Sequence, residues 1–228
     1  MAAQEFARHS FMESLPPPDR QALLEAGRRK AWETGEMVMR DGEPADSAVV
    51  LLAGLAKIHK TTTEGVDVVL GLSGPGDLLG EPSAMREAIR SASVTALDQI
   101  DALVLPVPDF RGFLSRHPQA ALVLLDLALG RLYVADARRM EFASSESLPR
   151  VTSRLVELAE RFGQRLDSGA IEVALPFAQE ELASWSASSR ESTARALRTL
   201  RQLGLIETRR LAITVMDLER LRAHAARL

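Results

Sequence analysis

QEELASWSASSRESTARALRTLRQLG, residues 179 to 204, reads as two helices joined by a short turn. Glu180 and Glu181 stand at the start of the first, where the helix dipole favours acids. Ser186-Ala187-Ser188 then breaks the pattern with small polar residues. Ser188, followed three places later by Glu191, has the spacing of a capping box and predicts a second helix from Ser189. At about 100° per residue, Thr193, Ala196, Leu197, Leu200 and Leu203 share one arc, and Arg190, Glu191, Arg195, Arg198 and Arg201 lie opposite. Gly204 supplies the stop.

An arginine-lined helix face is ordinarily just solvated. Two details point elsewhere. The arginines begin in the first turn, where a helix normally prefers acids. Beyond Gly204, Leu205 to Thr208 and Leu211 to Val215 look like two short strands closed around Arg209-Arg210, a basic wing. A helix-turn-helix that sets the start of its second helix into the major groove has this layout.

The 228 residues allow one large domain or two ordinary ones, and 46% hydrophobic with 26% charged residues describes a soluble globular chain. The absence of cysteine excludes disulfides, thiolate metal sites and cysteine nucleophiles together. The longest apolar run, near Val49 to Ala53, is too short to cross a bilayer, and the N-terminus lacks a signal layout, so a cytoplasmic protein is expected. Net charge is −3 but unevenly placed: residues 149–228 carry +3 and residues 1–148 carry −6. A basic end on an acidic body fits nucleic-acid binding by that end.

Outward from the helix pair, Arg150 to Phe162 predicts a helix with Val151, Leu155, Leu158 and Phe162 inside, after a hinge at Ser144 to Pro149. Pro118 to about Ser145 reads as one long helix, ~40 Å at 1.5 Å per residue. Along it Leu125, Leu129, Leu132, Asp136, Arg139 and Ala143 recur in fours and threes, a coiled-coil-like seam that calls for a partner chain. From Trp32 to Pro108 short apolar runs alternate with glycines, which indicates an antiparallel barrel or sandwich. The expected strands are Ala48 to Leu52, Ala56 to His59, Val66 to Leu70, Val94 to Ala96 and Leu103 to Val107. Before them come a short helical pattern around Phe6 and Phe11 and a helix from Asp19 to Lys30, with Arg28-Arg29-Lys30 as its last turn. His9, His59, His117 and His224 lie in separate elements without ligand spacing, so no metal is expected. No nucleophile–base pattern stands out, so no enzyme is expected either.

The barrel, Gly74-Pro75-Gly76-Asp77-Leu78-Leu79-Gly80-Glu81, the later Arg90-Ser91-Ala92, the long helix and SRESTARAL together resemble the cyclic-AMP receptor/FNR (Crp/Fnr) family of bacterial transcription regulators. The resemblance implies an α+β chain with an N-terminal β-roll, or jelly roll, over 1–116. A dimerisation helix and hinge would span 117–147, and a C-terminal winged helix-turn-helix 148–228. It implies a homodimer joined through Leu125, Leu129 and Leu132, double-stranded DNA with a palindromic operator as partner, and RNA polymerase as a further one. Arg190, Glu191 and Arg195 match the family's base-reading trio, while Gln179, Ser189 and Arg209 match or suit phosphate contacts. Arg reads guanine O6 and N7, and Glu accepts from cytosine N4. Ser186-Ala187 stands where the family has an apolar residue and glycine, and Trp185 is a bulky compensation.

In the barrel, Gly80, Glu81, Arg90 and Ser91 match the residues that hold ribose and cyclic phosphate in cyclic-nucleotide-binding members, and Asp136 matches a purine contact. The bland alternative is a Glu81–Arg90 ion pair that ties the loop down. Cyclic AMP or another cyclic nucleotide, a different effector, and none at all stay open. A small-molecule module with a degenerate DNA-binding domain is the competing function.

Overall fold

The structure, a computed structural model, describes residues 7, 9–144, 146–174 and 179–226, without the side chains at 142–144, 179 and 226. The expected pattern at Phe6 lies outside the described residues. The chain divides into two compact units, Met1–Leu132 and Tyr133–Leu228, so one long helix contributes to both.

The first unit opens with α1 (Phe11–Ser14) and α2 (Pro17–Ala26). Pro17 sits at the first helical position, where its missing N–H has no intrahelical use. Then follow β1 (Arg28–Trp32), β2 (Met37–Met39), β3 (Ser47–Ala53), β4 (Ala56–Thr61), β5 (Asp67–Ser73), β6 (Leu78–Leu79), α3 (Glu81–Arg86), β7 (Ser93–Ala96) and β8 (Ile100–Pro106). The helix expected to reach Lys30 ends at Ala26, because Gly27 turns extended against Leu103, where a Cβ would come within 2.9 Å. Arg28-Arg29-Lys30 is therefore an edge strand paired with β8, and its charges protect that edge from further pairing.

Two antiparallel sheets form the roll, in strand orders β1-β8-β3-β6 and β2-β7-β4-β5. Strand β3 is buried on both faces. Val49 and Leu51 join Trp32, Met39, Val94 and Ile100 between the sheets. Ala48, Val50 and Leu52 face outward onto Phe11, Leu23, Phe110 and Phe113. That double burial is why β3 reads as an unbroken apolar run rather than an alternation. Val107, expected to end a strand, instead begins α4 (Val107–Arg116), with Pro106 as its extended cap. In α5 (Pro118–Ser144) the first turns pack Ala120, Leu124 and Leu127 on the outer core. Leu125, Leu129 and Leu132 stay 54%, 46% and 55% exposed.

The second unit continues with α6 (Ser147–Phe162), β9 (Gln164–Arg165), β10 (Ile171–Ala174), α7 (Gln179–Trp185), α8 (Arg190–Gln202), β11 (Ile206–Arg209), β12 (Ala212–Val215) and α9 (Leu218–Ala226). Helix α6 starts three residues earlier than expected, since Pro149 is tolerated in a first turn; Ser147 to Pro149 is helix rather than hinge. Val151, Leu155 and Leu158 are buried as expected, whereas Phe162 is only half-buried. The wing hairpin β11–β12 extends through β10 to β9 in a third antiparallel sheet, an extension with no clear signal in the sequence.

Candidate nucleic-acid interface and effector cassette

The turn between α7 and α8 is closed by polar groups. The Ser186 hydroxyl donates to the Leu182 and Ala183 carbonyls at 2.8 and 3.2 Å. Ala187 takes the left-handed conformation, φ 47°. Arg150 of α6 donates from Nε to the Ser186 carbonyl at 3.0 Å and from Nη2 to the Ala187 carbonyl at 3.1 Å. The cap of α8 is Ser189, one residue later than expected: its Oγ accepts from the Ser192 N–H at 3.1 Å, while Ser188 donates to the Ser186 carbonyl.

With that start fixed, Thr193, Ala196, Leu197 and Leu200 are buried, and Ser189, Arg190, Glu191, Arg195, Arg198 and Arg201 are exposed. Leu203, expected inside, is 46% exposed because the helix ends before it. Arg190 meets Glu180 at 2.7 Å, and Arg195 donates to the Ser192 hydroxyl at 3.1 Å. Such exposed contacts are worth no more than about 1 kcal/mol, so they hold neither guanidinium firmly in place. Arg209 and Arg210 are exposed, and among the described residues neither has an acidic partner. Gln179 opens α7, but its side chain lies outside the described residues.

Behind the helix pair, Arg138 of α5 donates to both oxygens of Glu157 at 3.1 and 2.8 Å. Arg154 of α6 joins Glu157 at 2.9 Å and Glu141 at 2.8 Å. Both guanidiniums lie over the buried Trp185 ring of α7, 5.8 and 5.7 Å from its centroid. Trp185 thus lies buried behind the turn with two cation–π contacts.

In the roll, Asp77 accepts the Gly74 N–H at 2.8 Å and closes the turn that delivers Gly80 and Glu81. Gly80 is left-handed, φ 76°, and a Cβ there would lie 2.4 Å from the Arg90 guanidinium. Arg90 is buried and donates to the Gly80 carbonyl at 3.2 Å, the Ser47 carbonyl at 2.7 Å and Asp46 Oδ1 at 2.9 Å. The alternative reading of a Glu81–Arg90 ion pair is not met: Arg90 pairs with Asp46. Glu81 pairs instead with Arg131 of α5. The Asp46 side chain is 85% exposed. Burial works against its charge, but hydrogen bonds from Ser47 and Arg90 outweigh that and hold its carboxyl below the usual range. Ser91 is exposed beside Arg90, and Asp136 pairs with Arg139 on its own helix at 2.9 Å.

Burial raises the Glu81 carboxyl above its ordinary value, against the pull of Arg131. A raised acid binds more protons folded than unfolded, so stability is full below the ordinary carboxylate value and falls as pH rises through the Glu81 value. Glu81→Gln is expected to flatten that fall in a denaturation series from pH 4 to 7; an unaltered pH slope would contradict it.

A model for the cyclic nucleotide-binding domain matches residues 29–117, and one for the Crp-like helix-turn-helix domain matches residues 149–224. The chain belongs to the Crp/Fnr family of transcription regulators. This regulator is 27% identical over 219 residues to the CRP-like cAMP-activated global transcriptional regulator of Mycobacterium tuberculosis, covering 96% of this chain and 97% of that one. It is 28% identical over 192 residues to the cyclic AMP receptor protein of Thermus thermophilus, covering 84% and 85%. A solved CRP-family transcriptional regulator from Thermus thermophilus superposes with a TM-score of 0.69 at 26% identity, covering 86% and 96%.

Two groups of residues around the candidate sites escaped sequence reasoning. Asp46 and Arg131, the partners of the cassette, are far from it in the chain. The Arg138–Glu157–Arg154–Glu141 network left only a faint mark, an i,i+3 charge pair within each helix. His59 packs against Thr95 at 2.9 Å and His117 against Asp19 at 2.9 Å, each away from the other histidines. Among the described residues no helix is long and apolar enough to cross a membrane, and no cluster of three metal-ligating side chains occurs.

Proposed function

We propose that the regulator acts in the cytoplasm as a homodimer on a palindromic operator, governed by an anionic effector in the roll. Residues 1–116 sense, 117–147 dimerise and 148–228 bind DNA, with RNA polymerase as the further partner. The observation that carries the reading is the exposed set Ser189, Arg190, Glu191 and Arg195 on the first two turns of a capped α8, above a turn clamped by Arg150. The test is a gel shift on genomic fragments; retardation of every fragment alike would count against regulation.

Arg190, Glu191 and Arg195 read bases, because a recognition helix enters the groove by its N-terminal turns. Arg190→Ala should cost roughly 1–3 kcal/mol on the preferred site and relax the choice at one G·C pair per half-site. Arg209→Ala should weaken all sequences about equally and flatten the salt dependence; a sequence-selective loss would contradict its phosphate role.

Cyclic AMP or another cyclic nucleotide suits the cassette, with Arg90 and Ser91 on the phosphate and Glu81, freed from Arg131, on a sugar hydroxyl. The effector exchanges for Asp46 on Arg90. Calorimetric titration with cyclic AMP and cyclic GMP should show Arg90→Ala binding at least about tenfold more weakly and Asp46→Asn more tightly. Affinity untouched by both changes would place the ligand elsewhere.

A further inference from the structure

A cleft of about 810 Å³ opens beside the effector cassette, where the β2–β3 loop, the end of α3 and the start of α4 meet. Small-molecule sites span roughly 300–1,000 Å³ and are mostly apolar with a few placed charges. The apolar walls follow from the backbone. An isolated antiparallel bridge pairs Pro44 with Ile89, and side chains alternate along extended chain, so Arg90 turns inward and Ile89 outward. Arg90 is accordingly 4% exposed and Ile89 63%. Across the cleft the Val107 N–H donates to the Asp46 carbonyl at 2.9 Å, which ties the start of α4 to the loop. Pro44 and Pro108 add ring surfaces that carry no N–H to solvate.

The charges of the lining are unbalanced. Glu87, at a left-handed position with φ 51°, pairs with Arg111 and so satisfies that guanidinium. Asp46 keeps 85% of its side chain in water, and its cationic partner Arg90 reaches it from the buried side. Arg90 divides its donors between Asp46 and the Gly80 and Ser47 carbonyls. Two carboxylates against one guanidinium in the lining bias the cleft toward positive charge. We propose that the cleft binds a small amphiphilic cation, its ammonium on Asp46 and its apolar body against Ile89, Val107 and Pro108. Occupation draws Asp46 from Arg90 and leaves that guanidinium freer for an anion, so cation and effector favour one another. This coupling rests on the effector reading above; the cleft itself does not.

The test uses the full-length protein and three probes that share one apolar body: 2-phenylethylammonium, neutral 2-phenylethanol and the anion 3-phenylpropanoate. With the isoleucine methyl groups labelled for NMR, the ammonium is expected to shift the Ile89 methyl. It should bind about fivefold more tightly than either other probe, the worth of one exposed ion pair. Asp46→Asn should abolish that preference. Ile89→Ser, at a position 63% exposed and so outside the core, should weaken all three probes. An Ile89 methyl that no probe shifts, no preference for the ammonium, a preference that survives Asp46→Asn, or affinities unmoved by Ile89→Ser would each overturn the site. In calorimetry, phenylethylammonium well above its dissociation constant should tighten cyclic AMP binding about fivefold in wild type and leave Asp46→Asn unchanged. Equal cyclic AMP affinity with and without the ammonium overturns the coupling. Cyclic AMP that binds in neither condition overturns the effector reading and leaves the cleft standing.

Discussion

Changing Leu125, Leu129 and Leu132 together to aspartate is expected to give a monomer whose operator affinity falls roughly 10²–10⁴-fold. The three side chains keep 54%, 46% and 55% of their surface exposed along one helix, while neighbouring Leu124 and Leu127 are spent on the roll's own core. Burying the remaining leucine surface against a second helix is worth about 1 kcal/mol per side chain, and a seam supplies it from both protomers. Loss of the seam separates the two recognition helices, so the second half-site no longer binds as an intramolecular event. Sedimentation at micromolar concentration reads the first effect, and titration of a two-half-site operator the second. A wild-type protein that sediments as a monomer, or a triple variant that remains a dimer, would overturn the seam.

Glu157→Ala should destabilise the DNA-binding unit by about 3 kcal/mol. Glu157 receives both Arg138 and Arg154, and the Arg154 side chain is only 6% exposed. Its removal leaves a buried guanidinium with Glu141 alone and loosens two cations from Trp185. In a Trp32→Phe background, where Trp185 is the remaining tryptophan, its fluorescence should report unfolding at a clearly lower denaturant concentration. Glu157→Gln, still an acceptor, should fall between. A midpoint unmoved by Glu157→Ala would show that the network contributes nothing to stability.

Local signals carried the reading of the fold where one physical cause dominates. Capping chemistry and the arc of Thr193, Ala196, Leu197 and Leu200 placed α8 to within a residue. The fours-and-threes leucine rhythm found α5. Signals failed where two causes predict the same residues. Arg28-Arg29-Lys30 suits a helix C-terminus and equally a charged sheet edge, and only pairing with β8 decides between them. Val107 after Pro106 ends a strand or begins a helix with equal propriety. In the cassette, residue types were legible and partners were not. Arg90 finds Asp46 at a separation of 44 positions and Glu81 finds Arg131 at 50, distances over which no periodicity survives.

The most direct test of the central claim is a binding-site selection with wild-type protein and with Arg190→Ala, run in parallel from the same random duplex pool. An inverted repeat with half-sites about one helical turn apart is expected for the wild type, because a two-fold dimer presents both copies of α8 to one face of the duplex. The variant should return the same repeat with one G·C pair per half-site degenerate. A non-palindromic motif, or a repeat unaltered by Arg190→Ala, would contradict the assignment.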